Sequence, residues 1–346
     1  MALIDADDPT TARAWSVDEM RARVVRYGEL VPCLNAFIDT RTPGSEAKEN
    51  FTIIGPGVSE NPEQFVHIAE PHGFNIGGAR QPPHCVNSQH SHETAEVFVV
   101  FSGDWTFNIG ERGEDVRVAA GPGAVASIPT GMFRGFTNVG TQPGFLWVVL
   151  GGDDPGHVKW APYVFDMARD YGLVLMEDGS LIDTTAGQTP PPGLRPMART
   201  TPQEVAAMRV PSAAEIEAVV VRPEAFAGLP HGPLTGAGVE ERCVIGPANP
   251  LEGTAAGPLG WPHGFHLRRV TMTPGAATAR HVRAEPEVVF VQDGGVTLRW
   301  DGGALDLGPG DTLTTPAGLA RTYASANGAV LFVVRGGDRP APPVMV

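Results

Sequence analysis

The chain has 346 residues, of which 25 are Lys or Arg and 39 are Asp or Glu, so its formal net charge is −14. This acidic balance, without a basic run, excludes the electrostatic footprint of a nucleic-acid-binding protein, and we expect no nucleic-acid partner. The 43 Gly and 33 Pro residues favour turn-rich β-structure, because their sum stays below the roughly 25–30 % that is typical of low-complexity chains.

The N-terminal sequence is acidic and lacks the basic region and apolar run of a signal peptide. No stretch approaches the ~18 consecutive apolar residues of a membrane helix. The three cysteines, Cys33, Cys85 and Cys243, are widely spaced and form no Cys-x-x-Cys pair, which argues against a disulfide framework. We therefore expect a cytoplasmic protein with no membrane partner.

Helix signals are sparse and lie outside the β-rich parts of the sequence. Capping-box patterns that begin at Ser16, Thr201 and Ser212 predict three short helices. Apolar runs such as Glu96–Phe101 and Val288–Gln292, separated by Gly and Pro turns, predict strands. The resulting domain prediction is an N-terminal helical extension (1–30), a first barrel (31–184), a Pro-rich and helical connector (185–225) and a second barrel (226–346).

The sequence repeats itself internally, which is its most informative feature. Pro71–Phe74 recurs as Pro262–Phe265, both reading Pro-His-Gly-Phe, and His90 recurs as His281. Glu96 likewise returns as Glu287, and Gly103 as Gly294, all at the same separation of 191 residues. The two halves of the chain are therefore expected to share one fold.

The first copy carries His90-Ser91-His92, then Glu96, then Gly103, and this spacing resembles the first cupin motif. A second stretch, from Gly123 through Pro129 and Gly131 to Asn138, resembles the second cupin motif, but Arg134 replaces its last metal-binding histidine. The second copy shows the first motif as Gly275, His281, Arg283, Glu287 and Gly294, and Arg321 takes the place of the last histidine.

The resemblance to the cupin superfamily implies an all-β protein with two tandem jelly-roll barrels and a few short peripheral helices. It also implies that the two barrels pack as an internal pseudo-dimer, and that a homodimer can form through apolar outer faces. It does not name a reaction, because cupins include dioxygenases, isomerases, decarboxylases, lyases and storage proteins. The function must therefore be argued from the site.

The residue pattern of the first copy predicts a metal site. His90 and His92 share one face of a strand, and Glu96 keeps the same parity, so two imidazoles and a carboxylate can converge. This set suits Fe(II), which we favour, and also manganese, nickel or zinc. A structural histidine pair without metal is the alternative. His84 and His72 are candidates for additional ligands, and Phe98 is a candidate pocket residue.

Arg134 allows two interpretations, because a guanidinium cannot coordinate a cation. In the first, which we favour, it binds a carboxylate or enolate of the substrate beside the metal. In the second, it forms an ion pair with Glu96 or reaches the surface. In the second copy, Arg283 and Arg321 leave only His281 and Glu287 as ordinary ligands, and we expect a metal-free barrel with a buried ion network.

The resemblance to the cupin superfamily favours a dioxygenase-type oxidoreductase, and we expect it to bind one divalent metal per chain in the N-terminal barrel. Its partner would be a small acidic substrate, either a carboxylated aromatic compound or a keto acid. An isomerase, lyase or decarboxylase that uses the metal as a Lewis acid is the first alternative. A metal-free binding or storage protein is the second.

Overall fold

The computed structural model describes residues 13–346, so residues 1–12 of the predicted extension lie outside the described part. The described chain divides into two compact units. The first unit comprises residues 29–228 and 263–265, and the second comprises residues 13–28, 229–262 and 266–346.

The helices are short and the strands dominate. The α-helices are α1 (Val17–Arg21), α2 (Pro162–Asp170), α3 (Pro202–Ala207) and α4 (Ala213–Glu217), and single 3-10 turns span Tyr27–Glu29, Thr184–Ala186 and Pro223–Gly228. The predicted capping boxes are confirmed, since Ser16, Thr201 and Ser212 each cap a helix in this way.

The strands are numbered in chain order. They are β1 (Val24–Val25), β2 (Glu49–Ile54), β3 (Val66–Ile68), β4 (Phe74–Gln81), β5 (Val86–Ser91), β6 (Glu96–Ser102), β7 (Trp105–Ile109), β8 (Val116–Ala120), β9 (Val125–Ile128), β10 (Arg134–Asn138), β11 (Gly144–Gly151), β12 (Lys159–Trp160), β13 (Leu173–Leu175), β14 (Leu181–Asp183), β15 (Val220–Val221), β16 (Val239–Ile245), β17 (Phe265–Met272), β18 (His281–Val282), β19 (Glu287–Gly294), β20 (Val296–Trp300), β21 (Gly303–Leu307), β22 (Thr312–Thr315), β23 (Thr322–Ala324), β24 (Ala329–Gly336) and β25 (Val344–Met345).

The first unit is built on two larger sheets. One has seven strands in the order β15-β9-β6-β11-β4-β2-β3, and the other has five in the order β12-β5-β10-β7-β8. Aromatic side chains join the two sheets, because Phe98 on β6 packs against Phe107 on β7 and Phe136 on β10, with ring centroids 4.9 and 5.4 Å apart. Burial of these apolar rings is the main force that holds such layers together.

A β-bulge interrupts the pairing of β5 with β10. Arg134 lies opposite His90, whereas Phe136 lies opposite Asn87, so three steps along β5 match two along β10. A bulge of this kind changes which face of the sheet the following side chains point to. Asn87 and His90 are three residues apart, so their side chains would point to opposite faces of a regular strand. The bulge lets both of them line one cavity.

The second unit has a six-stranded sheet in the order β1-β22-β19-β24-β17-β16, together with the three-stranded sheet β21-β20-β23 and the pair β18-β25. Its core is aliphatic and includes Met20 of α1. Residues 13–28 therefore belong to this unit, because β1 extends its main sheet at the edge next to β22.

The predicted all-β class with short peripheral helices is confirmed. The unit boundaries differ from those read from the sequence, since residues 185–228 cluster with the first unit. Strand β15, near the end of the predicted connector, pairs with β9 of the seven-stranded sheet. Over residues 13–346, no helix combines the length and the apolar character that crossing a bilayer requires.

Candidate metal centre

Three buried side chains of the first unit converge at the turn between β5 and β6. His90 lies on β5, His92 follows its end, and Glu96 is the first residue of β6. One ligand atom from each residue lies within 4.8 Å of the other two. All three residues are about 95 % buried. The structure thus brings together the set that the sequence predicted.

Hydrogen bonding and burial prepare both imidazoles to bind a metal. The Nδ1–H of His90 donates to the carbonyl of Ser88 at 2.7 Å, which leaves the lone pair on Nε2 free. Burial lowers the pKa of His90 well below its usual value, and the nearby Arg134 charge lowers it further. The same two causes, in the same order, lower the pKa of His92. Both rings are therefore neutral at pH 7, as coordination requires.

Arg134 holds the carboxylate of Glu96. Its Nη2 donates to Glu96 Oε2 at 2.5 Å and its Nε donates to the same oxygen at 3.2 Å. The other oxygen, Oε1, lies 3.5 Å from Nε2 of His92. Arg134 is 1 % exposed and is not among the residues that line the adjacent cavity. The structure therefore shows the ion pair, and this position does not favour the predicted contact with substrate.

The three candidate ligands form part of the wall of a mainly apolar cavity. Its empty volume is about 670 Å³, open solvent at the mouth included. Phe98, as predicted for a pocket residue, is on the wall, together with Phe51, Phe136 and Trp160. An apolar cavity with a few convergent polar groups is the usual form of a small-molecule site.

The other predicted candidates lie away from this group. His84 is exposed and has a φ of 64°, in the turn between β4 and β5. His72 is buried, and its Nδ1–H donates to the carbonyl of Glu70 at 2.7 Å. Neither belongs to the group of converging ligand atoms, because the one is in a surface turn and the other is tied to its local backbone. Both predictions of an additional ligand lack support.

The donor set fits a divalent metal. Metal–ligand bonds of about 2.0–2.2 Å place neighbouring donor atoms roughly 3–4 Å apart, and the observed group needs little closure to reach this spacing. Two neutral imidazoles and one carboxylate leave coordination positions open for substrate. Nδ1 of His92 is buried without a hydrogen-bond partner among the described residues.

The sequence analysis did not identify Trp160 as a residue that packs against His90. The Trp160 ring packs on His90 at 5.3 Å between centroids, and its Nε1–H donates to Oε1 of Glu60 at 2.6 Å. The amide of Ile38 donates to Oε2 of the same carboxyl at 2.8 Å. Burial raises the pKa of Glu60 to about 8. Only the pairing of β12 with β5 brings Trp160 to His90, so no local sequence signal could have identified it.

In the second unit, arginines occupy the corresponding positions. Arg321 Nη2 lies 2.9 Å from Glu287 Oε1, and Arg283 Nε lies 3.7 Å from Glu287 Oε2. His281 donates from Nδ1 to the carbonyl of Ala279 at 2.9 Å. The predicted buried ion network is therefore present, and the metal-free state of this unit stays a prediction.

Glu252 lies at the centre of this network. Its Oε1 lies 3.0 Å from Arg283 Nη1 and 2.8 Å from Arg335 Nη2, and its Oε2 lies 2.7 Å from Arg268 Nη2. The Glu252 side chain is fully buried. The sequence analysis missed it, because Glu252 belongs to no motif and its partners are distant in the chain.

His281 predicts a pH dependence of stability. Burial lowers the pKa of His281 to about 4. Glu287 and the hydrogen bond to Ala279 oppose this lowering, and the charges of Arg321 and Arg283 add to it. An unfolded histidine takes up its proton near pH 6.5, so the unfolded state binds more protons than the folded state between pH 6.5 and 4. Stability is therefore complete above pH 6.5 and is lost as the pH falls. When the pH falls from 7 to 5, we expect the free energy of unfolding of the wild type to decrease by about 2 kcal/mol more than that of His281→Leu.

Urea unfolding of both proteins at pH 7 and pH 5 measures this difference. If the free energy of unfolding decreased equally in both proteins, His281 would be protonated to the same extent in the folded and unfolded states. The buried histidines His90, His92 and His266, whose pKa values are also lowered, are present in both proteins and therefore cancel from the comparison.

Comparisons with known proteins agree with this architecture. A family model described as a cupin domain matches residues 79–150 and 268–335. The structure of oxalate decarboxylase from Bacillus subtilis at pH 4.6 is similar with a TM-score of 0.54 and 13% identity, over 98% of this chain and 81% of that chain. A deletion mutant of the same enzyme is similar with a TM-score of 0.53 and 13% identity, over 98% of this chain and 82% of that chain.

A structure of the Bacillus subtilis enzyme used to study its Mn(II) centres gives a TM-score of 0.52 and 13% identity, over 94% of this chain and 79% of that chain. A search of curated protein sequences finds no match. At this identity the likeness shows the fold. The expected dioxygenase reaction and the expected iron gain no support from these neighbours.

Proposed function

We propose that this chain, a two-domain member of the cupin superfamily, is a metal-dependent enzyme whose reaction takes place in the first unit. The observation that carries the proposal is the convergence of His90, His92 and Glu96 on the wall of an apolar cavity. A buried histidine pair with only a structural role would not need a wall position beside open space.

His90, His92 and Glu96 would hold the ion. The ligand types suit Mn(II), Fe(II), nickel and zinc, and we now place Mn(II) first, because a neighbour of the same fold has Mn(II) centres. When bound, the metal would polarise a substrate oxygen and stabilise the negative charge that develops on it.

The residues around the ligands have positioning roles. Ser88 fixes the tautomer and the orientation of His90 through its carbonyl, and Trp160 packs against the same ring. Arg134 binds Glu96 through Oε2, which leaves Oε1 as the oxygen nearest to His92. Supports of this kind orient metal ligands and tune their basicity. The apolar wall keeps water from the reacting atoms.

The reaction that we propose is lyase- or isomerase-type chemistry on a small keto acid. A C–C or C–H bond on the carbon next to the carbonyl would break, releasing carbon dioxide in the first case and a proton to solvent in the second. The electron pair left on that carbon would form an enolate, whose charge a metal held by His90, His92 and Glu96 would stabilise. This replaces the dioxygenase expectation, since the neighbours of the same fold are decarboxylases. Three protein ligands also leave room for oxygen, so the oxygen-dependent reaction is an outcome that the experiment distinguishes.

The test is turnover of keto acids by Mn(II)-loaded protein, assayed under argon and in air. Acetoacetate, which has a single carboxylate, is followed by release of carbon dioxide, and phenylpyruvate by exchange of its C3 protons with deuterium oxide. We expect turnover at the same rate in both atmospheres. Consumption of oxygen in proportion to turnover would establish the dioxygenase instead. Absence of turnover with manganese, iron, nickel and zinc would contradict the proposal and favour a binding protein.

A further inference from the structure

We infer that the side chains of Asn50 and Asn87 determine which substrates the first unit accepts, and that they recognise an uncharged hydroxyl or carbonyl on an otherwise apolar ligand. This inference rests on the proposed function, because it assumes that the other end of the ligand lies at His90, His92 and Glu96. It adds to that function a substrate class and two specificity-determining residues.

The two carboxamides have unused hydrogen-bonding capacity. Nδ2 of Asn50 and Oδ1 of Asn87 are buried and have no hydrogen-bond partner among the described residues. Asn50 is 9 % exposed and Asn87 4 % exposed, and both line the cavity that contains the candidate metal ligands. A buried polar atom without a partner is costly, so its presence at a cavity indicates that a ligand supplies the partner.

The fold presents these groups from two different sheets. Asn50 lies on β2 of the seven-stranded sheet, and Asn87 lies on β5 of the five-stranded sheet. The β-bulge between β5 and β10 is what allows Asn87 to share the cavity with His90. Because both amides are on hydrogen-bonded β-strands, their positions are fixed more firmly than loop residues would be.

Other polar side chains on the wall are already engaged. The hydroxyl of Thr52 donates to Oε1 of Gln64, and Nε2 of Gln64 donates to the carbonyl of Pro56 at 2.7 Å. Ser59 donates to the carbonyl of Ala36 at 3.3 Å. The unused groups of Asn50 and Asn87 therefore stand out as the recognition elements away from the metal ligands.

The charge of the wall excludes a second anionic group on the ligand. None of the described residues that line the cavity is Lys or Arg. Arg134 is bound to Glu96 behind the wall, and Lys48 is fully buried in an ion pair with Asp39. A carboxylate at the far end of a ligand would lose its hydration without gaining a cation. It could also accept from Asn50 but could not donate to Asn87, whereas a hydroxyl can do either.

The experiment compares three acids that share one α-keto carboxylate head. Phenylpyruvate has an apolar tail, 4-hydroxyphenylpyruvate adds a neutral hydroxyl, and 2-oxoglutarate has a charged tail. Dissociation constants are measured by calorimetry on the full chain, with and without Mn(II). We expect 4-hydroxyphenylpyruvate to bind roughly 10- to 100-fold more tightly than phenylpyruvate, and 2-oxoglutarate to bind most weakly.

Variants assign the preference to the two amides. Asn50→Leu and Asn87→Leu are each expected to reduce the advantage of the hydroxylated acid to about threefold or less. Asn50→Ser and Asn87→Ser, which keep a smaller polar group, serve if a leucine variant does not fold. Asn108→Leu is the control, since it removes a carboxamide of the same unit whose Nδ2 already donates to Thr137 Oγ1 at 3.1 Å and which does not line the cavity, and it should keep the wild-type preference.

Equal binding of the three acids, tightest binding of 2-oxoglutarate, or no binding of any of them would overturn the inference. So would a hydroxyl preference that survives both asparagine substitutions. Failure of the protein to bind Mn(II) would overturn the proposed function alone, because the hydroxyl preference is then measured with p-cresol against toluene, which carry no carboxylate and need no metal.

Discussion

His90→Ala is expected to lower the affinity for Mn(II) by at least roughly 100-fold and to abolish turnover of keto acids. Changes to residues that only support a metal ligand typically cost 10–100-fold, and His90 is one of only three candidate ligands in its group. The variant also frees the carbonyl of Ser88 and leaves space beside Trp160. Metal titration and steady-state assays on the same preparation measure both effects.

His281→Ala is the matched control, because His281 occupies the equivalent position of the second copy and has the same backbone contact through Nδ1. It should leave Mn(II) affinity and turnover within about twofold of the wild type, since the metal is expected in the first unit. A similar loss in both variants would indicate that the histidines act through stability rather than as ligands.

Glu252→Gln is expected to lower the free energy of unfolding of the second unit by about 3–5 kcal/mol. The carboxylate is fully buried and binds three guanidinium groups, those of Arg268, Arg283 and Arg335. Glutamine has nearly the same shape but no charge, so three buried cations would share one negative charge fewer. Urea unfolding at pH 7, followed by tryptophan fluorescence, to which Trp15, Trp261 and Trp300 contribute from this unit, measures the change.

Glu240→Gln provides the comparison. Glu240 also pairs with an arginine of this unit, Arg242, at 3.3 Å, but its side chain is 58% exposed. Exposed ion pairs contribute at most about 1 kcal/mol. If Glu252→Gln cost no more than Glu240→Gln, the buried network would not stabilise the second unit, and its arginines would need another explanation.

The fold followed from the sequence because the repeat carries strong local signals. Alternating apolar runs bounded by Gly and Pro predicted strands such as Glu96–Phe101, which the structure extends to Ser102. The boundaries of the units were not predictable in the same way. Strand β1 pairs with β22, almost 290 residues later in the chain, and nothing in the two-residue sequence Val24–Val25 indicates a partner at that distance.

The group of candidate metal ligands was predictable, and its surroundings were not. His90, His92 and Glu96 lie within seven residues, so strand parity and one turn bring them together. Asn87 has the wrong parity to join them, and only the β-bulge, set by pairing with β10, turns it to the cavity. Asn50, Trp160 and Glu60 reach the same region from separate parts of the chain.

The sequence also left open which group the guanidinium of Arg134 contacts. Arg134 and Glu96 are 38 residues apart, and the same residue types suit an ion pair or a substrate contact. The choice depends on whether the guanidinium lies on the cavity wall or behind it. Its guanidinium is bound to Glu96 and does not line the cavity, which is why we propose a positioning role for it.

The most direct test of the account is the metal content of the wild-type protein, measured by elemental analysis after loading with Mn(II) and removal of unbound ions. The account predicts about one divalent ion per chain, because only the first unit offers three converging ligands among the described residues. No retained metal would contradict the proposed enzyme, and about two ions per chain would contradict the assignment of the arginine-rich second unit as metal-free.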